Sequence, residues 1–399
     1  MATARTELAH LREGQVVPRV PLSLAEATAL GASRLVAVAP AGDGWEVTAA
    51  HTVGALDVAG LTVRVTPKVG IVQVLRLLAR AHGVRHLRLD ERTVGLAEDC
   101  GLTAVLAELF VQEARHALAA GPVRGYRSEE QTLPFVRGRL RVREQELRRF
   151  GAVVPLEVQV DEWTADTDEN RRIVGAVRAL LALPDVLAPT RQALRRVDRL
   201  LADVRLPPPG QPLPPWTPTR LTARLHQLLR LSDLVLARRS VEHVAGAVAV
   251  AGFVVPMERL FEDLVARLLT ELDDDTRLAS QSGYAFDASG VLRIRPDLVL
   301  RRDGRDIAVA DTKYKVLDDA GRLRHEDAYQ LLAYCSRLGL PVGHLIYASG
   351  NLPAMPYVLR GSDVVLHVHK IDMDQPVDEL ELAVATLRVN LLEPAGPSD

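Results

Sequence analysis

The stretch Arg293–Leu300 (RIRPDLVL) and the stretch Ile307–Lys315 (IAVADTKYK) are both rich in Val, Ile and Leu. They flank residues Arg302–Arg305 (RDGR), and an Asp-Gly pair between two apolar runs is a hairpin turn signal. The sequence therefore predicts a β-hairpin whose strands carry two carboxylates and one ammonium group: Asp297, Asp311 and Lys313.

The length of the turn decides which side chains meet on this hairpin. A three-residue loop, residues 303–305, pairs Arg302 with Asp306 and places Asp297 directly opposite Asp311. A two-residue loop would put the two carboxylates on opposite faces, because side chains alternate along a strand. We predict the three-residue loop, and the meeting of the two carboxylates depends on it.

Two carboxylates on adjacent strands repel each other unless a cation lies between them. Mg²⁺ suits such a pair, because it takes a few carboxylates and keeps water and phosphate oxygens as its other ligands. Mn²⁺ is a plausible substitute. Lys313 shares the face of Asp311, where it can hold an attacking water or neutralise charge in the transition state. These residues predict phosphodiester hydrolysis, and the alternative is an ordinary hairpin with a surface ion pair.

An amphipathic helix is predicted from Met257 to about Leu269, shortly before the hairpin. Glu258 and Glu262 lie on one side of it, four residues apart. One of them points towards the hairpin carboxylates, and Glu262 is the better candidate. In the alternative interpretation both acids complement the dipole of the helix N-terminus.

The Pro-Asp and Asp-x-Lys pattern of the hairpin resembles the PD-(D/E)xK nuclease superfamily. Residues 327–334 (DAYQLLAY) follow, and a helix there places Asp327, Gln330 and Tyr334 on one face. A Gln-x-x-x-Tyr helix after the lysine is similar to that of RecB-type members. The resemblance implies a mixed sheet flanked by helices.

Composition and length set the broad class of the protein. A chain of 399 residues with 48% hydrophobic and 25% charged residues is typical of a globular protein with two or three domains. The formal net charge of −2 leaves nucleic-acid binding to local basic patches. Two cysteines are too few for a disulfide framework. Since residues 1–13 lack a secretory signal and no apolar run is long enough for a membrane span, we expect a cytoplasmic protein.

The fold class predicted for the chain is a multidomain α+β or α/β protein with three consecutive regions. Residues 1–85 form a β-rich domain, and residues 86–245 form a mostly helical region with a Pro-rich connector at 207–218. Residues 246–399 form the nuclease domain. No Gly-rich phosphate-binding loop with Lys-Ser/Thr occurs in the sequence, so the chain is not expected to bind a nucleotide itself.

Four arginines alternate in the run from residue 137 to residue 143, which predicts a strand with four guanidinium groups on one face: Arg137, Arg139, Arg141 and Arg143. One interpretation is a surface for phosphate or an acidic partner. The other is a solvated face paired with Glu144 and Glu146. The sequence favours neither.

Several stretches, taken with the nuclease pattern, are similar to the McrC family, the nuclease subunit of McrBC-type modification-dependent restriction systems. In chain order they are residues 66–70 (TPKVG), 125–126 (GY), 133–138 (LPFVRG), 161–171 (DEWTADTDENR) and 257–262 (MERLFE). The resemblance implies that the part before residue 246 docks on a hexameric AAA+ GTPase of McrB type and stimulates it. It also implies that the C-terminal domain cuts double-stranded DNA containing modified cytosine, which the partner reads.

The resemblance further implies roles for individual residues. The catalytic residues would be Asp297, Asp311, Lys313 and Glu262. The Mg²⁺ ligands would be Asp297, Asp311, Glu262 and the carbonyl of Thr312. The residues near the DNA backbone would be Gln330, Tyr334, Arg295 and Lys315. Two alternatives stay open: a non-catalytic adaptor that activates an AAA+ ring, and a stand-alone RecB-type repair nuclease.

Overall fold

The structure is a computed structural model. It describes residues 8–58, 61–84, 87, 100–150, 152–183, 185–206, 213–237, 239–240, 250–272, 276–316, 323–350 and 356–392. The chain divides into two compact units, one of residues 1–102 with 240–399 and the other of residues 103–239. None of the helices in the described ranges combines the length and hydropathy that a bilayer span requires.

The strands and helices have the following bounds. The strands are β1 (Leu11–Arg12), β2 (Val16–Val20), β3 (Val36–Ala41), β4 (Gly44–Ala49), β5 (Thr52–Val58), β6 (Leu61–Thr66), β7 (Gly125–Leu133), β8 (Arg139–Leu140), β9 (Leu156–Thr164), β10 (Arg239–Ser240), β11 (Val250–Pro256), β12 (Arg277–Ser280), β13 (Tyr284–Ala285), β14 (Arg293–Ile294), β15 (Leu298–Arg302), β16 (Arg305–Val316), β17 (Val342–Ser349), β18 (Tyr357–Val358) and β19 (Val365–Lys370). The α-helices are α1 (Leu24–Ala32), α2 (Ile71–Ala81), α3 (Leu102–Ala117), α4 (Val142–Arg149), α5 (Asp168–Leu181), α6 (Ala188–Leu200), α7 (His226–Ala237), α8 (Met257–Glu271), α9 (His325–Leu338) and α10 (Val377–Leu392). Two 3₁₀ turns span Leu8–His10 and Ala223–Leu225.

The first unit contains a six-stranded mixed sheet with the order β12-β15-β16-β17-β19-β18. Strands β16, β17 and β19 are parallel, whereas β15 runs antiparallel to β16. The run Ala308–Asp311 of β16 is buried at four successive positions. Both faces of the strand are therefore covered, and α8 and α9 both contact it. The prediction of mixed sheets flanked by helices is confirmed.

A second sheet, with the order β1-β6-β5-β11-β10, pairs strands from residues 11–66 with strands from residues 239–256. Strand β11 pairs antiparallel with β5 over seven residues, from Val250 opposite Val58 to Pro256 opposite Thr52. The strand leading into α8 thus completes a sheet begun some two hundred residues earlier, a long-range pairing that local sequence patterns do not report.

The second unit is built from the three-stranded sheet β7-β9-β8 and helices of residues 103–239. Thr167 caps α5, since its side chain accepts a hydrogen bond from the amide of Asn170. Asp166 lies just before it and is buried, paired with the guanidinium groups of Arg127 and Arg171. These ion pairs compensate the buried charge of Asp166.

The predicted strand of four alternating arginines is wrong. Gly138 has a φ of 74°, which ends the extended run, and Arg143 lies in helix α4. Arg137 contacts Glu162 at 3.2 Å, and Arg141 contacts Glu144 at 3.1 Å. The contact of Arg141 with Glu144 agrees with the second interpretation of this run, whereas the partner of Arg137 is a carboxylate of β9.

The close approach of β5 and β11 generates a prediction. Gly54 has a φ of 132°, and a Cβ atom there would collide with the carbonyl oxygen of Phe253. We expect Gly54→Ala to lower the free energy of unfolding of this unit by about 3 kcal/mol, from overpacking and backbone strain. Gly31→Ala is the control, because α1 leaves open space at Gly31. It should be neutral or stabilising by up to about 1 kcal/mol. Equal urea denaturation midpoints for the two variants would contradict this account.

Candidate functional site

The hairpin of β15 and β16 is formed, but its turn is shorter than predicted. Arg302 pairs with Arg305, so the loop has two residues, Asp303 with a φ of 51° and Gly304 with a φ of 77°. Positive φ at both positions is the type I′ turn that Asp-Gly favours. The predicted three-residue loop and the predicted pairing of Arg302 with Asp306 are therefore wrong.

A β-bulge nevertheless brings the predicted carboxylates together. Ile307 has no partner residue on β15, which shifts the register by one residue. Beyond the bulge Leu298 pairs with Ala310, so Asp297 follows at the position next to Asp311. The extra residue thus lies within β16 instead of in the turn, and its effect on the register at the site is the same.

Asp297 is held in place by three hydrogen bonds. Its Oδ2 accepts from the backbone amide and from the hydroxyl of Thr312, each at 2.8 Å. Its Oδ1 accepts from Nε2 of Gln281 at 3.2 Å. The carbonyl of Thr312 stays a predicted metal ligand, and the two donors of Thr312 both bind Asp297.

Asp311 is 2% exposed, and its Oδ2 lies 2.5 Å from Nζ of Lys313. This contact is an ion pair between a buried carboxylate and the ammonium group of Lys313. Burial and the nearby charge of Asp297 raise the pKa of Asp311 to about 7, although Lys313 opposes the shift. The site holds more negative charge than its own lysine compensates.

Lys313 is fixed by residues of α9. Its Nζ donates to Oε1 of Gln330 at 2.9 Å and lies 3.7 Å from Oδ1 of Asp327. The Gln330 amide donates in turn to the hydroxyl of Tyr334 at 2.6 Å, and that hydroxyl donates to the carbonyl of Arg295 at 3.3 Å. The predicted helical face therefore lies against the hairpin, and it connects the lysine to the residue two positions before Asp297.

Lys313 keeps its positive charge in this surrounding. Burial lowers its pKa, but the carboxylates of Asp311, Asp327 and Asp297 outweigh burial and hold the pKa above its ordinary value. Asp327 is itself buried, and it accepts a hydrogen bond from the Tyr347 hydroxyl at 2.8 Å. Sequence analysis missed Tyr347, which lies on β17 in a continuous apolar run that carries no sign of a polar contact.

Glu262, and not Glu258, faces the hairpin. The Glu262 residue is 9% exposed, whereas Glu258 is exposed to solvent. Its oxygens accept from Arg259 at 3.1 Å and from Nε2 of Gln281 at 2.5 Å. Burial first, and then the charge of Asp297, raises its pKa. Gln281, which contacts both carboxylates, was missed, because a single glutamine in an irregular segment gives no sequence signal.

The two predicted DNA-contacting cations differ in what the structure describes. Arg295 is exposed, and its Nε donates to the carbonyl of Gln281 at 2.9 Å, at the edge of the site. Lys315 lies in β16, and its side chain is outside the described part of the chain. Arg295 therefore remains a candidate for phosphate contacts, and Lys315 remains a prediction from sequence.

The chemistry of this donor set suits a hard cation held by few protein ligands. Asp297 and Asp311 supply carboxylate oxygens, and the excess negative charge around Asp311 favours a cation. Among the described residues no group of three or more His, Cys, Asp or Glu side chains is arranged to hold a metal ion. The pair Asp297 and Asp311 fits Mg²⁺, because this ion commonly uses one or two carboxylates and takes the rest of its shell from water and phosphate.

Comparison with known proteins gives a family match and a fold match. Residues 47–348 match the family model described as McrBC 5-methylcytosine restriction system component. A chain of the refined half-complex from the tetradecameric assembly of Thermococcus gammatolerans McrB AAA+ hexamers with bound McrC is 18% identical, with a TM-score of 0.59 over 95% of this chain and 99% of that chain. A chain of the cryo-EM structure of the Thermococcus gammatolerans McrBC complex is 19% identical, with a TM-score of 0.42 over 65% of this chain and 86% of that chain. No curated protein matches.

The charge excess at Asp311 generates a stability prediction. Its folded-state pKa of about 7 lies above the ordinary 3.8, so ionisation costs stability progressively as the pH rises between these two values. Without divalent ions at pH 8, we expect Asp311→Asn to raise the melting temperature by about 3 °C or more, since 1 kcal/mol corresponds to about 2–4 °C at this size. The difference in melting temperature between this variant and the unmodified protein should become smaller as the pH falls towards 4.

The control for this measurement is Asp374→Asn, at an exposed aspartate of the same unit. The difference in melting temperature between this variant and the unmodified protein should not grow with pH. Equal melting of Asp311→Asn and the unmodified protein at pH 8, by calorimetry, would show that Asp311 is not destabilised by its surroundings.

Proposed function

Since the chain belongs to the McrBC 5-methylcytosine restriction system component family, we propose that it is the Mg²⁺-dependent DNA endonuclease subunit of such a system. The observation that carries the proposal is the convergence of two carboxylates and one ammonium group at one place: Asp297, Asp311 and Lys313. Asp297 lies just before β15, Asp311 and Lys313 lie on β16, and α8 and α9 support them. The charge excess has no use in a purely structural hairpin. A site of this composition supports phosphodiester hydrolysis.

Asp297 and Asp311 are the proposed metal ligands, with Glu262 and the Thr312 carbonyl as further candidates. Bound Mg²⁺ would lower the pKa of a coordinated water and stabilise negative charge on a phosphoryl oxygen. The two hydrogen bonds from Thr312 orient the carboxylate of Asp297 before any ligand arrives. The protein contributes a preorganised anionic surface, which costs no reorganisation when the scissile phosphate binds.

Lys313 is proposed to act as a fixed positive charge and not as a general base. Its pKa is raised by the surrounding carboxylates, so it stays protonated at neutral pH. A protonated lysine can donate to the attacking water or to a phosphoryl oxygen that gains charge in the transition state. Gln330 and Tyr334 hold its position through the hydrogen-bonded chain from α9, and Arg295 is placed to contact the DNA backbone.

The second unit is proposed to dock on an AAA+ GTPase of McrB type. The connection between β7 and β9, residues 134–155, exposes an unusual number of large apolar side chains: Phe135, Val136, Leu140, Val142, Leu147, Phe150, Val153 and Val154. Exposed apolar clusters of this kind mark protein interaction surfaces. The partner class follows from the family and from the related fold seen in an assembly of McrB AAA+ hexamers with bound McrC. GTP hydrolysis and recognition of modified cytosine are assigned to that partner.

The catalytic prediction concerns Asp311→Ala and Lys313→Met. With the McrB-type partner of the same system, GTP, Mg²⁺ and DNA containing 5-methylcytosine, each should reduce the formation of DNA ends at least about 100-fold, through loss of charge stabilisation. Stimulation of GTP hydrolysis by the partner should persist, because docking is assigned to the other unit. Lys370→Met, at a lysine that is 3.4 Å from Asp372, is the control.

Undiminished cutting by the Asp311 variant would refute the hydrolytic assignment. If the unmodified chain stimulates its partner and yields no DNA ends, the adaptor function would replace the endonuclease. Cutting without any partner would favour a stand-alone nuclease.

The docking prediction concerns Phe150, which is 92% exposed and has a φ of 46°. We expect Phe150→Asp to weaken partner binding about tenfold or more, because a charge would have to be buried in an apolar contact. Leu221→Asp is the matched control, since Leu221 is 87% exposed in the same unit and lies outside residues 134–155. Sedimentation or light scattering of the mixed proteins measures the effect. Equal weakening by both variants would show that residues 134–155 are not the docking surface.

A further inference from the structure

Gln281 occupies a strained backbone position directly beside the site. It follows the end of β12, and its φ is 53°, in the left-handed region that residues other than glycine rarely adopt. Two hydrogen bonds of its backbone hold it there. The backbone N–H of Gln281 donates to the backbone carbonyl of Asp297 at 3.1 Å, and the backbone carbonyl of Gln281 accepts from Nε of Arg295 at 2.9 Å. Strain of this kind persists only where the surroundings enforce it, and it clusters at functional sites.

The side chain of Gln281 lies between two carboxylates. Nε2 is 2.5 Å from Oε1 of Glu262 and 3.2 Å from Oδ1 of Asp297. Because both neighbours are acceptors, the nitrogen end of the amide, and not the oxygen end, must face them. One neutral NH₂ group thus donates to two carboxylates. A position between two carboxylates is one that a cation commonly occupies.

The remaining contacts of these carboxylates do not depend on Gln281. Glu262 is also held by Arg259, and the other oxygen of Asp297 is held by the two donors of Thr312. Gln281 is therefore not needed to fix the position of either group. Its distinctive contribution is the partial positive charge that it places between them, where the two like charges raise each other's energy.

We infer that Gln281 is a positioning residue that stands in for the cation: its side-chain amide bridges Glu262 and Asp297 in the metal-free protein and would release them when a divalent cation is bound at the proposed site. The inference rests on the proposed metal site. Since the bridge stabilises the metal-free protein alone, it competes with metal binding, and its removal should lower metal-free stability and strengthen metal affinity together. A merely structural clip would lower stability without raising affinity.

The test uses the full-length chain, with Mn²⁺ as the probe. Gln281→Met keeps the length of the side chain and removes both donors. We expect this variant to have a lower melting temperature without metal. Calorimetry should show an Mn²⁺ affinity about three- to tenfold higher, because one or two hydrogen bonds that stabilise the metal-free protein are lost. Gln281→Glu, which adds a negative charge, should shift both quantities further in the same directions.

The matched control is Gln73→Met. Gln73 also donates from Nε2 to two oxygens, the carbonyls of Met373 at 3.0 Å and of Gln375 at 2.7 Å, but both acceptors are uncharged. This variant should have a lower melting temperature than the unmodified chain and the same Mn²⁺ affinity. An unchanged or weaker affinity in both Gln281 variants, with Mn²⁺ still bound by the unmodified chain and lost in Asp297→Asn, would overturn this inference alone. Absence of Mn²⁺ binding by the unmodified chain would overturn the proposed metal site as well.

Discussion

The concentration of carboxylates around a single lysine is the constraint on which the site depends. Asp297, Asp311 and Asp327 all act on the charge of Lys313, and two of the three are buried. Like charges in a medium of low polarity raise each other's energy, so each must be held in place by donors. Thr312 and the side-chain amide of Gln281 donate to Asp297, Tyr347 donates to Asp327, and the ammonium group of Lys313 lies beside Asp311. A fold without a use for this excess charge would be more stable with neutral residues at these positions.

The register of the hairpin shows how far local sequence rules reach. Asp303-Gly304 is a strong signal for a two-residue type I′ turn, and the structure forms that turn. The expectation of a three-residue loop came from requiring that the carboxylates meet, which assumed a regular ladder. The bulge at Ile307 satisfies both requirements. It could not be read from the sequence, because β16 is buried on both faces and its apolar run lacks the alternation that would reveal a shift by one residue.

Local features were predicted best. The faces of helices depend on residues a few positions apart, and so the orientation of Glu262 and the Gln330–Tyr334 face were accessible. Long-range features were not accessible. The pairing of β11 with β5, the contact of Tyr347 with Asp327 and the position of Gln281 depend on how distant segments pack. The arginine run failed for another reason, because one glycine at positive φ outweighed the strand pattern on either side of it.

The titration behaviour of the site separates the roles of its two central groups. Asp311 has a pKa of about 7, so near neutral pH it exchanges a proton easily, whereas Lys313, 2.5 Å away, keeps its charge. Where the surroundings separate the pKa values of two neighbouring groups in this way, one group commonly carries the exchangeable proton and the other keeps a constant charge. A cation bound beside Asp311 would have to displace that proton, because only the ionised carboxylate is a good ligand. If the proposed site binds a cation, the burial that destabilises the ionised carboxylate would also make the affinity for the cation depend on pH, whereas Lys313 keeps its charge.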